Sequence, residues 1–512
     1  MVRPELIFGL VGAAGTRLRA LSSELHNGLR SFGYTIIDIR VSGLLANFQP
    51  EEAVPENDEY QRIRFLQDRG DKFRRSLGKG DALALASIAT IRKERAAITG
   101  NPDHVARDHA FILNQLKHPA EVDLLRQVYG ENFILVAGHA PRNKRVQSLT
   151  DTLSRENKQT TDLPVLERQA MELIEIDEKE ADDLGQNTRD TYPMADFFSN
   201  LATGDGYDVR RFLDLFFGHP FHTPSPEEYA MYQASAVALR SSDSGRQVGA
   251  AITVHATGSA EGRTADIVAV GANEVPRARG GYYWDGDSPD NRDQRLLAGG
   301  TDRAQELKLG VLRELLEKIK AKNWFLPEIA QEHPRTLAME LLSDLRRTQF
   351  MDIGEFGRPV HAEMAALIDA ARRGVAVNGH SMYVTAFPCH NCAKHIIAAG
   401  ISRVIYLEPY PKSRAGNLHG EELELQSVSG AEMADKVVCY AFSGIAPRQY
   451  RQLFSMAERG KDKGHTLNKW GALTSELVPP YVPPNSFHAY IPAERDALKR
   501  LRPDIYRWSE QQ

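Results

Sequence analysis

Two short segments restrict the fold of this chain more than any other feature of its sequence. They are His361-Ala362-Glu363 and Pro388-Cys389-His390-Asn391-Cys392. One imidazole and two thiolates are ligands that zinc prefers, and a catalytic zinc keeps a fourth position open for water. The fold is therefore expected to bring the two segments together around one catalytic zinc ion per chain, with His361, Cys389 and Cys392 as its ligands.

Both segments are expected to begin helices. Cys389 and Cys392 are three residues apart, so at a helix start both thiolates lie on one side, near the partial positive charge that lowers thiol pKa values. His361 opens a second predicted helix, 362–373, with Glu363 in its first turn. Because zinc lowers the pKa of its bound water towards ~7, Glu363 is the predicted catalytic residue that takes the water proton and passes it to the substrate.

Other interpretations of these residues stay open at this point. A structural zinc would need a fourth ligand, for which His390 and His395 are the candidates. The cysteines could also be buried without any metal. Cys439 is expected to pack as a small apolar residue. Three cysteines, with only one C-x-x-C pair, do not form a disulfide framework and fit a reducing cytosol.

Composition limits the classes of partner. The chain has 512 residues, 42% of them hydrophobic, and a formal net charge of -5. No global basic excess indicates a long nucleic-acid surface. The apolar start at 6–15 could pass for a short signal-peptide core, but its glycines fit a loop better. No apolar run approaches the ~20 residues of a membrane span, so a cytoplasmic protein without membrane contact is expected.

Residues 1–203 alternate between apolar runs and helical spacing, which predicts a doubly wound α/β domain. The acidic stretch 175–183 is interpreted as a solvated helix face or a lid rather than a metal site. Runs typical of buried parallel strands and segments with helical spacing follow one another, the strands at Leu6–Val11, 34–41, 111–116 and 132–137, and the helices at 16–32 and 81–97.

The loop after the first strand lies between a strand and a helix, which is the context of a phosphate-binding P-loop. In the pattern G-x-x-x-x-G-K-[ST], Gly9 and Thr16 match. Ala14 replaces the second glycine, Gly15 replaces the lysine, and Arg17 comes one residue late. Backbone N–H groups can still bind phosphate. We therefore expect a P-loop NTPase-like domain that binds a nucleotide effector and is a poor kinase, because the lysine is missing. Two alternatives for this domain stay open: a structural remnant that binds no nucleotide, and an active kinase. The nucleotide-binding candidates are Gly9, Gly12, Gly15, Thr16 and Arg17.

Residues 204–512 predict a second α/β domain after a boundary rich in glycine and proline. A long insertion, 277–357, has an aromatic and acidic opening that could line a cleft, close a lid or contact another subunit. The tail, 479–512, follows a proline-rich run and is expected to be an extended strap. The predicted elements are a helix at 229–240 and strands at 248–254, 266–270, 384–387 and 404–407, with a charged helix at 305–322 in the insertion.

The pattern H-x-E…P-C-x-x-C is typical of zinc deaminases of nucleobases. The runs at 246–252 and 271–276 resemble deoxycytidylate deaminases. This resemblance implies a cytidine-deaminase-like α/β/α domain, contact of Asn273 with a deoxyribose, and Arg246 and Ala362 as further substrate-binding residues. Alternative interpretations stay open for two of these residues. Asn273 could serve only as a turn residue, and Arg246 could form an ordinary ion pair on the surface.

Nearly the whole chain resembles the bacterial anti-phage dCTP/dCMP deaminase family, in which a P-loop kinase-like domain is fused to a deaminase. The runs at 223–232, 281–284, 385–390 and 410–413 carry this resemblance. It implies a hydrolase acting on cyclic amidines that converts dCTP and dCMP to dUTP and dUMP, and an antiviral role in depleting dCTP. It also implies an inhibitory RNA or protein partner, and the fold commonly forms homo-oligomers.

Three other functions are compatible with the zinc motif. A deaminase of tRNA or single-stranded DNA would need a basic stripe, which the composition does not indicate. A pyrimidine deaminase of the riboflavin pathway would need a reductase-like partner domain. A nucleotide-sensing protein without catalysis would not need Glu363, which is intact.

Overall fold

The computed structural model describes residues 3–48, 54–55, 58–156, 162–178, 184–201, 207–255, 263–286, 295, 303–345, 348, 350, 356–409, 413–425, 433, 435–455, 477–482 and 489–501. The chain falls into two compact units. The first contains residues 1–232, 405–411 and 420–512, and the second contains residues 233–404 and 412–419.

The described strands begin and end as follows: β1 (Leu6–Val11), β2 (Thr35–Arg40), β3 (His109–Asn114), β4 (Phe133–His139), β5 (Phe197–Asn200), β6 (Gly249–His255), β7 (Arg263–Ala272), β8 (Ser381–Ala386), β9 (Arg403–Glu408), β10 (Leu423–Glu424), β11 (Val437–Ala441) and β12 (Gly444–Ile445).

The described α-helices are α1 (Leu18–Ser31), α2 (Val41–Phe48), α3 (Glu59–Leu77), α4 (Ala82–Thr99), α5 (Pro119–Tyr129), α6 (Arg142–Glu156), α7 (Leu163–Glu178), α8 (Thr188–Thr191), α9 (Tyr207–Phe216), α10 (Pro226–Ala238), α11 (Arg303–Ala321), α12 (Pro327–Ala330), α13 (Pro334–Asp344), α14 (Ala362–Arg372), α15 (His390–Ala398), α16 (Ala415–His419), α17 (Pro447–Phe454) and α18 (Tyr490–Leu498).

The sheet of the first unit has the strand order β12-β5-β4-β1-β3-β2. Strand β1 pairs in parallel with both β3 and β4, and every residue of β1 is buried. Full burial is what a parallel strand shows when both faces of its sheet are covered. The parallel pairing of strands β1 to β5, with helices between them, confirms the α/β architecture predicted for this part of the chain.

The first unit extends further along the chain than the predicted first domain. The boundary predicted between residues 203 and 204 lies outside the described residues. Helix α9 places Phe212 and Phe216 in the same core as Phe8 of β1. Strand β12 pairs antiparallel with β5, with Gly444 opposite Phe198. The hydrophobic core of the first unit therefore includes residues that precede the second unit in the sequence and residues that follow it.

The second sheet has the strand order β10-β11-β9-β8-β6-β7. In the second unit, β6 pairs antiparallel with β7 and β8. Glycines let helices approach this sheet closely: a Cβ on Gly271 of β7 would lie 2.3 Å from the Ala362 carbonyl oxygen of α14. A Cβ on Gly249 of β6 would lie 1.9 Å from the Ala234 carbonyl oxygen of α10. Any larger residue at Gly271 would push away the helix that begins beside His361.

The insertion at 277–357 contains helices α11, α12 and α13. They bury a small core of Leu312, Leu316 and Ala338. Residues 287–294, 296–302 and 351–355, among others in this insertion, lie outside the described residues. Within the part of the chain that the structure describes, no helix combines the length and apolar character needed to cross a membrane.

The tail differs from the predicted extended strap. Residues 490–498 form α18, and Tyr490, Glu494 and Leu498 on this helix are buried. Glu494 accepts hydrogen bonds from Arg95 at 2.7 Å, and Arg95 also pairs with Glu5 at 2.6 Å. A buried arginine needs carboxylate partners, so this ion cluster ties the helix to the first unit. Residues 483–488 and 502–512 of the predicted strap lie outside the described residues.

Candidate metal centre

The side chains of His361, Cys389 and Cys392 meet in the second unit. The Nδ1 atom of His361 lies 3.4 Å from the Cys389 Sγ atom and 3.3 Å from the Cys392 Sγ atom. His361 is the N-cap residue of α14 and Cys389 the N-cap residue of α15, with Cys392 in the first turn of α15. Two helix N-termini thus present one imidazole and two thiols to the same point.

The spacing of these atoms fits zinc. A tetrahedral zinc with a Zn–N distance of about 2.0 Å and a Zn–S distance of about 2.3 Å holds its N and S ligand atoms about 3.5 Å apart. Among the described residues, the group consists of His361, Cys389 and Cys392, without a fourth histidine, cysteine or carboxylate. The Nδ1 atom of His395, one of the proposed fourth ligands, instead contacts the Asn391 carbonyl oxygen at 2.7 Å. Three ligands and an open position are typical of a catalytic zinc site.

The two cysteines of the site affect each other's pKa values in opposite directions. Hydrogen bonding from the Cys392 thiol, together with His361, lowers the pKa of Cys389 to about 4. The same contact with Cys389, reinforced by burial, raises the pKa of Cys392. The hydrogen bond with Cys389 raises the pKa of His361.

Glu363 lies beside these ligands in the first turn of α14. Its side chain is 4% exposed. Burial raises the pKa of this carboxyl group, and the charge on Cys389 raises it further. A carboxylate that is kept from bulk water and raised in pKa is suited to accept and return a proton near neutral pH.

Asn273 is held by the loop that precedes β6. Its Oδ1 atom accepts a hydrogen bond from the Val248 N–H at 2.7 Å, and its Nδ2 atom donates to the Arg246 carbonyl oxygen at 2.8 Å. The next residue, Glu274, pairs through its backbone with Val360, directly before His361. Asn273 therefore holds the turn before β6, and the residue after it pairs beside His361.

The other two proposed substrate-binding residues differ in exposure. Arg246 lies on the surface of the same loop, and Ala362 is fully buried between the candidate ligand His361 and Glu363.

In the 410–413 motif, residues 410–412 lie outside the described residues. The Ser413 hydroxyl donates to the Pro388 carbonyl oxygen at 2.7 Å, next to the metal-binding cysteine.

Two features of this site have no signal in the sequence. Glu274 is 1% exposed, and its Oε2 atom accepts hydrogen bonds from the N–H and the hydroxyl of Ser242. This carboxylate therefore shapes the loop that carries Arg246. The Arg240 guanidinium lies 3.9 Å from the ring centroid of Trp284, in the aromatic opening of the insertion, where a cation and an indole ring attract each other.

The five nucleotide-binding candidates lie around a tight turn in the first unit. Gly9 lies inside β1, and its missing Cβ makes room for the Leu116 side chain. The Thr16 N–H donates to the Ala13 carbonyl oxygen, and Gly15 has a φ of +81° within that turn, a conformation that favours glycine. Arg17 is exposed at the N-cap of α1. The helix begins at Leu18, two residues later than predicted, because this turn precedes it.

The acidic stretch at 175–183 was interpreted as a solvated face or a lid, and for Asp177 this is wrong. The Asp177 side chain is 2% exposed. Its Oδ2 atom accepts from the Ala14 N–H at 2.7 Å, and its Oδ1 atom accepts from Lys117 Nζ at 2.5 Å. Lys117 also donates to the Gly12 carbonyl oxygen at 3.2 Å. The carboxylate is buried because the turn and the lysine satisfy its charge. Residues 179–183 lie outside the described residues.

Comparison with known proteins points to the second unit. Residues 224–408 match the family model of the cytidine and deoxycytidylate deaminase zinc-binding region. The chain is 46% identical over 57 residues to the deoxycytidylate deaminase of Enterobacteria phage T2, which is 11% of this chain and 30% of that protein. It is 47% identical over 53 residues to ComE operon protein 2 of Bacillus subtilis, 10% of this chain and 28% of that protein. The alignments thus span less than a third of these relatives.

Among solved structures, the dCMP deaminase from the cyanophage S-TIM5 in complex with dCMP and dUMP is 16% identical. The match covers 43% of this chain and 99% of that one, with a TM-score of 0.23. The family-model match contains the whole His361, Cys389 and Cys392 group, and it supports zinc as the ion that this group holds.

Proposed function

We propose that this protein is a zinc-dependent hydrolase that deaminates deoxycytidine nucleotides. One observation carries the proposal: a three-ligand group suited to zinc lies beside a buried glutamate, inside the segment that matches the zinc-binding deaminase region. In the reaction, water adds its oxygen to C4 of the base and the C4–N bond breaks. The products are a deoxyuridine nucleotide and ammonia.

The roles of the residues follow from where they lie. His361, Cys389 and Cys392 would hold zinc, which supplies a water activated at neutral pH. Glu363 would take one proton from the water and deliver it to the ring nitrogen as the water oxygen bonds to C4. It would then take the remaining proton from the new C4 hydroxyl and deliver it to the amine, which leaves as ammonia. Burial excludes competing proton donors from this carboxylate, since only 4% of it is exposed.

Substrate recognition is proposed for the segments beside the metal ligands. Asn273 holds the loop at 246–248 and would contact the deoxyribose, while Arg246 would bind phosphate at the surface. Ala362, buried between His361 and Glu363, would contact the base through its backbone. The similarity to the deoxycytidylate deaminase of Enterobacteria phage T2 supports dCMP as a substrate.

The wider function rests on the family resemblance. We propose that the enzyme also uses dCTP, and that depleting dCTP restricts phage replication. A cytoplasmic homo-oligomer, a nucleotide effector at the P-loop-like first unit, and an inhibitory RNA or protein belong to the same proposal. Comparing dCTP pools in phage-infected cells that carry the wild type or Glu363→Ala tests the antiviral part. Equal pools would contradict it.

Ammonia release tests the activity itself. The purified, zinc-loaded protein would be offered dCMP, dCTP, CMP and cytidine. We expect turnover of the deoxynucleotides, abolished in Glu363→Ala with its zinc retained. Undiminished turnover in this variant would refute the role of Glu363, and turnover of cytidine alone would refute the nucleotide assignment. Deamination of oligonucleotides instead would favour a nucleic-acid deaminase.

A further inference from the structure

A cavity in the first unit opens beside the turn that follows β1. It has a volume of about 310 Å³. The residues that line it include Ala14, Lys117 and Asp177, together with the cations of Arg19 and Arg40. Positive side chains around a backbone N–H in the turn before a helix form an environment that favours phosphate.

Two buried amides line the same cavity. Gln67 is 7% exposed and Gln186 is 6% exposed. Within the described residues, the Oε1 atoms of both are buried and have no hydrogen-bond partner. A buried acceptor without a partner is unfavourable, so a ligand that supplies N–H or O–H donors would be stabilised here. Nucleotide bases and sugars carry such donors, and their phosphates would meet the cations.

The phosphate position is already taken by a carboxylate of the chain. Asp177 accepts from the Ala14 N–H and from Lys117, the two donors that an incoming phosphate would need. A second anion at this point would be repelled by Asp177, and in a partly buried site such repulsion is strong. Phosphate and Asp177 therefore compete for the same donors.

We propose that this cavity is a nucleotide site that Asp177 closes by taking the place of the phosphate. Binding then requires Asp177 to leave the turn. Because Glu178, at the end of α7, is paired with Arg145 of α6 at 2.8 Å, release of Asp177 would also disturb the packing of α6 and α7. The inference deepens the effector site proposed above and is independent of the deaminase chemistry.

The decisive experiment measures binding of ATP and inorganic pyrophosphate to the full-length protein by calorimetry. Asp177→Asn keeps the size of the side chain and removes its charge, so it is expected to bind both probes at least about tenfold more tightly than the wild type. The double variant Asp177→Asn with Lys117→Met removes both charges of the Lys117–Asp177 pair. Because it lacks the lysine that would bind phosphate, it should bind neither ATP nor pyrophosphate. Glu175→Gln is the matched control. It also removes one negative charge from α7, but at a side chain that is 69% exposed and paired with Arg142. This variant should bind both probes like the wild type.

The variants also give the results that would overturn the proposal. Affinities of Asp177→Asn that equal those of Glu175→Gln would show that Asp177 does not compete with phosphate. Equal binding by Asp177→Asn and the double variant would place the phosphate away from Lys117. Thermal unfolding confirms that each variant is folded.

Hydrogen exchange of the peptide 171–178 gives a second test on the wild type: saturating ATP should speed its exchange, and unchanged exchange in the complex would contradict release of Asp177.

Discussion

Replacing Asn273 by alanine separates a structural role from a substrate contact. The Asn273 side chain is 8% exposed and makes two hydrogen bonds to the loop at 246–248, at 2.7 and 2.8 Å. A net hydrogen bond contributes about 0.5–1.5 kcal/mol, and a partner left unpaired adds a further cost. Loss of both bonds is therefore expected to destabilise this loop by about 2–4 kcal/mol.

The backbone amide of Val248 reports this loss directly, because its donor bond ends on Asn273 Oδ1. Hydrogen exchange of that amide should become about 30-fold to 800-fold faster in Asn273→Ala. This range is the destabilisation of about 2–4 kcal/mol converted at about 1.4 kcal/mol per tenfold change in rate. Gln247→Ala is the matched control, since this exposed side chain bonds Ser241 of the same loop. It should change exchange at Val248 little.

A different result would refute this reasoning. If exchange at Val248 is unchanged in Asn273→Ala while the KM for dCMP rises, the side chain acts on the sugar and does not hold the loop. If exchange accelerates and the KM rises in proportion, the loop itself positions the substrate. The two hydrogen bonds from Asn273 to the loop predict that exchange accelerates.

Three further predictions concern the metal centre and the buried ion cluster. Glu363→Gln keeps the size of the side chain but cannot accept a proton, so turnover of dCMP should fall about 10²–10⁴-fold; turnover equal to wild type would exclude proton transfer by Glu363. Chelation of zinc should abolish turnover, and added zinc should restore it; activity in metal-free protein, checked by elemental analysis, would contradict a metal-dependent site. Arg95→Met leaves the carboxylates of Glu5 and Glu494 buried without their shared cation, and should lower the free energy of unfolding in urea by about 3–5 kcal/mol. Asp103 pairs with the neighbouring Arg92 and is 26% exposed, so Asp103→Asn should cost no more than about 1 kcal/mol. Equal losses in the two variants would show that burial does not set the strength of these ion pairs.

Local patterns account for strands β1 to β4 and β6 to β9 and for the candidate metal ligands, but they did not predict β5, β10, β11 or β12. Strand β1 lies where its apolar run predicts it, at Leu6–Val11, because a parallel strand buried on both faces needs apolar side chains at every position. His361 and Cys389 were predicted as helix-start residues and are the N-caps of α14 and α15. Ligand type and helix phase are both local properties, so they can be predicted without knowing the rest of the fold.

Contacts between distant segments could not be predicted in this way. Asp177 appeared as one acid in a charged stretch, and its burial depends on Ala14 and Lys117, far away in the sequence. Glu494 belongs to a tail expected to be extended, and it is buried because Arg95 requires carboxylate partners. The charge of a side chain is a property of its residue, but its partner is set by the packing of the chain.

The same distinction holds for the two segments that restrict the fold most. The sequence by itself determined the candidate ligand set, His361, Cys389 and Cys392, and the proton-transfer candidate Glu363, because residue type and helical spacing carry that information. Only the tertiary structure decided that the Nδ1 and Sγ atoms lie 3.3–3.4 Å apart and that Asp177 closes the turn after β1. Distances and competition between charges arise when sheets and helices bring remote residues together, and no local pattern encodes them.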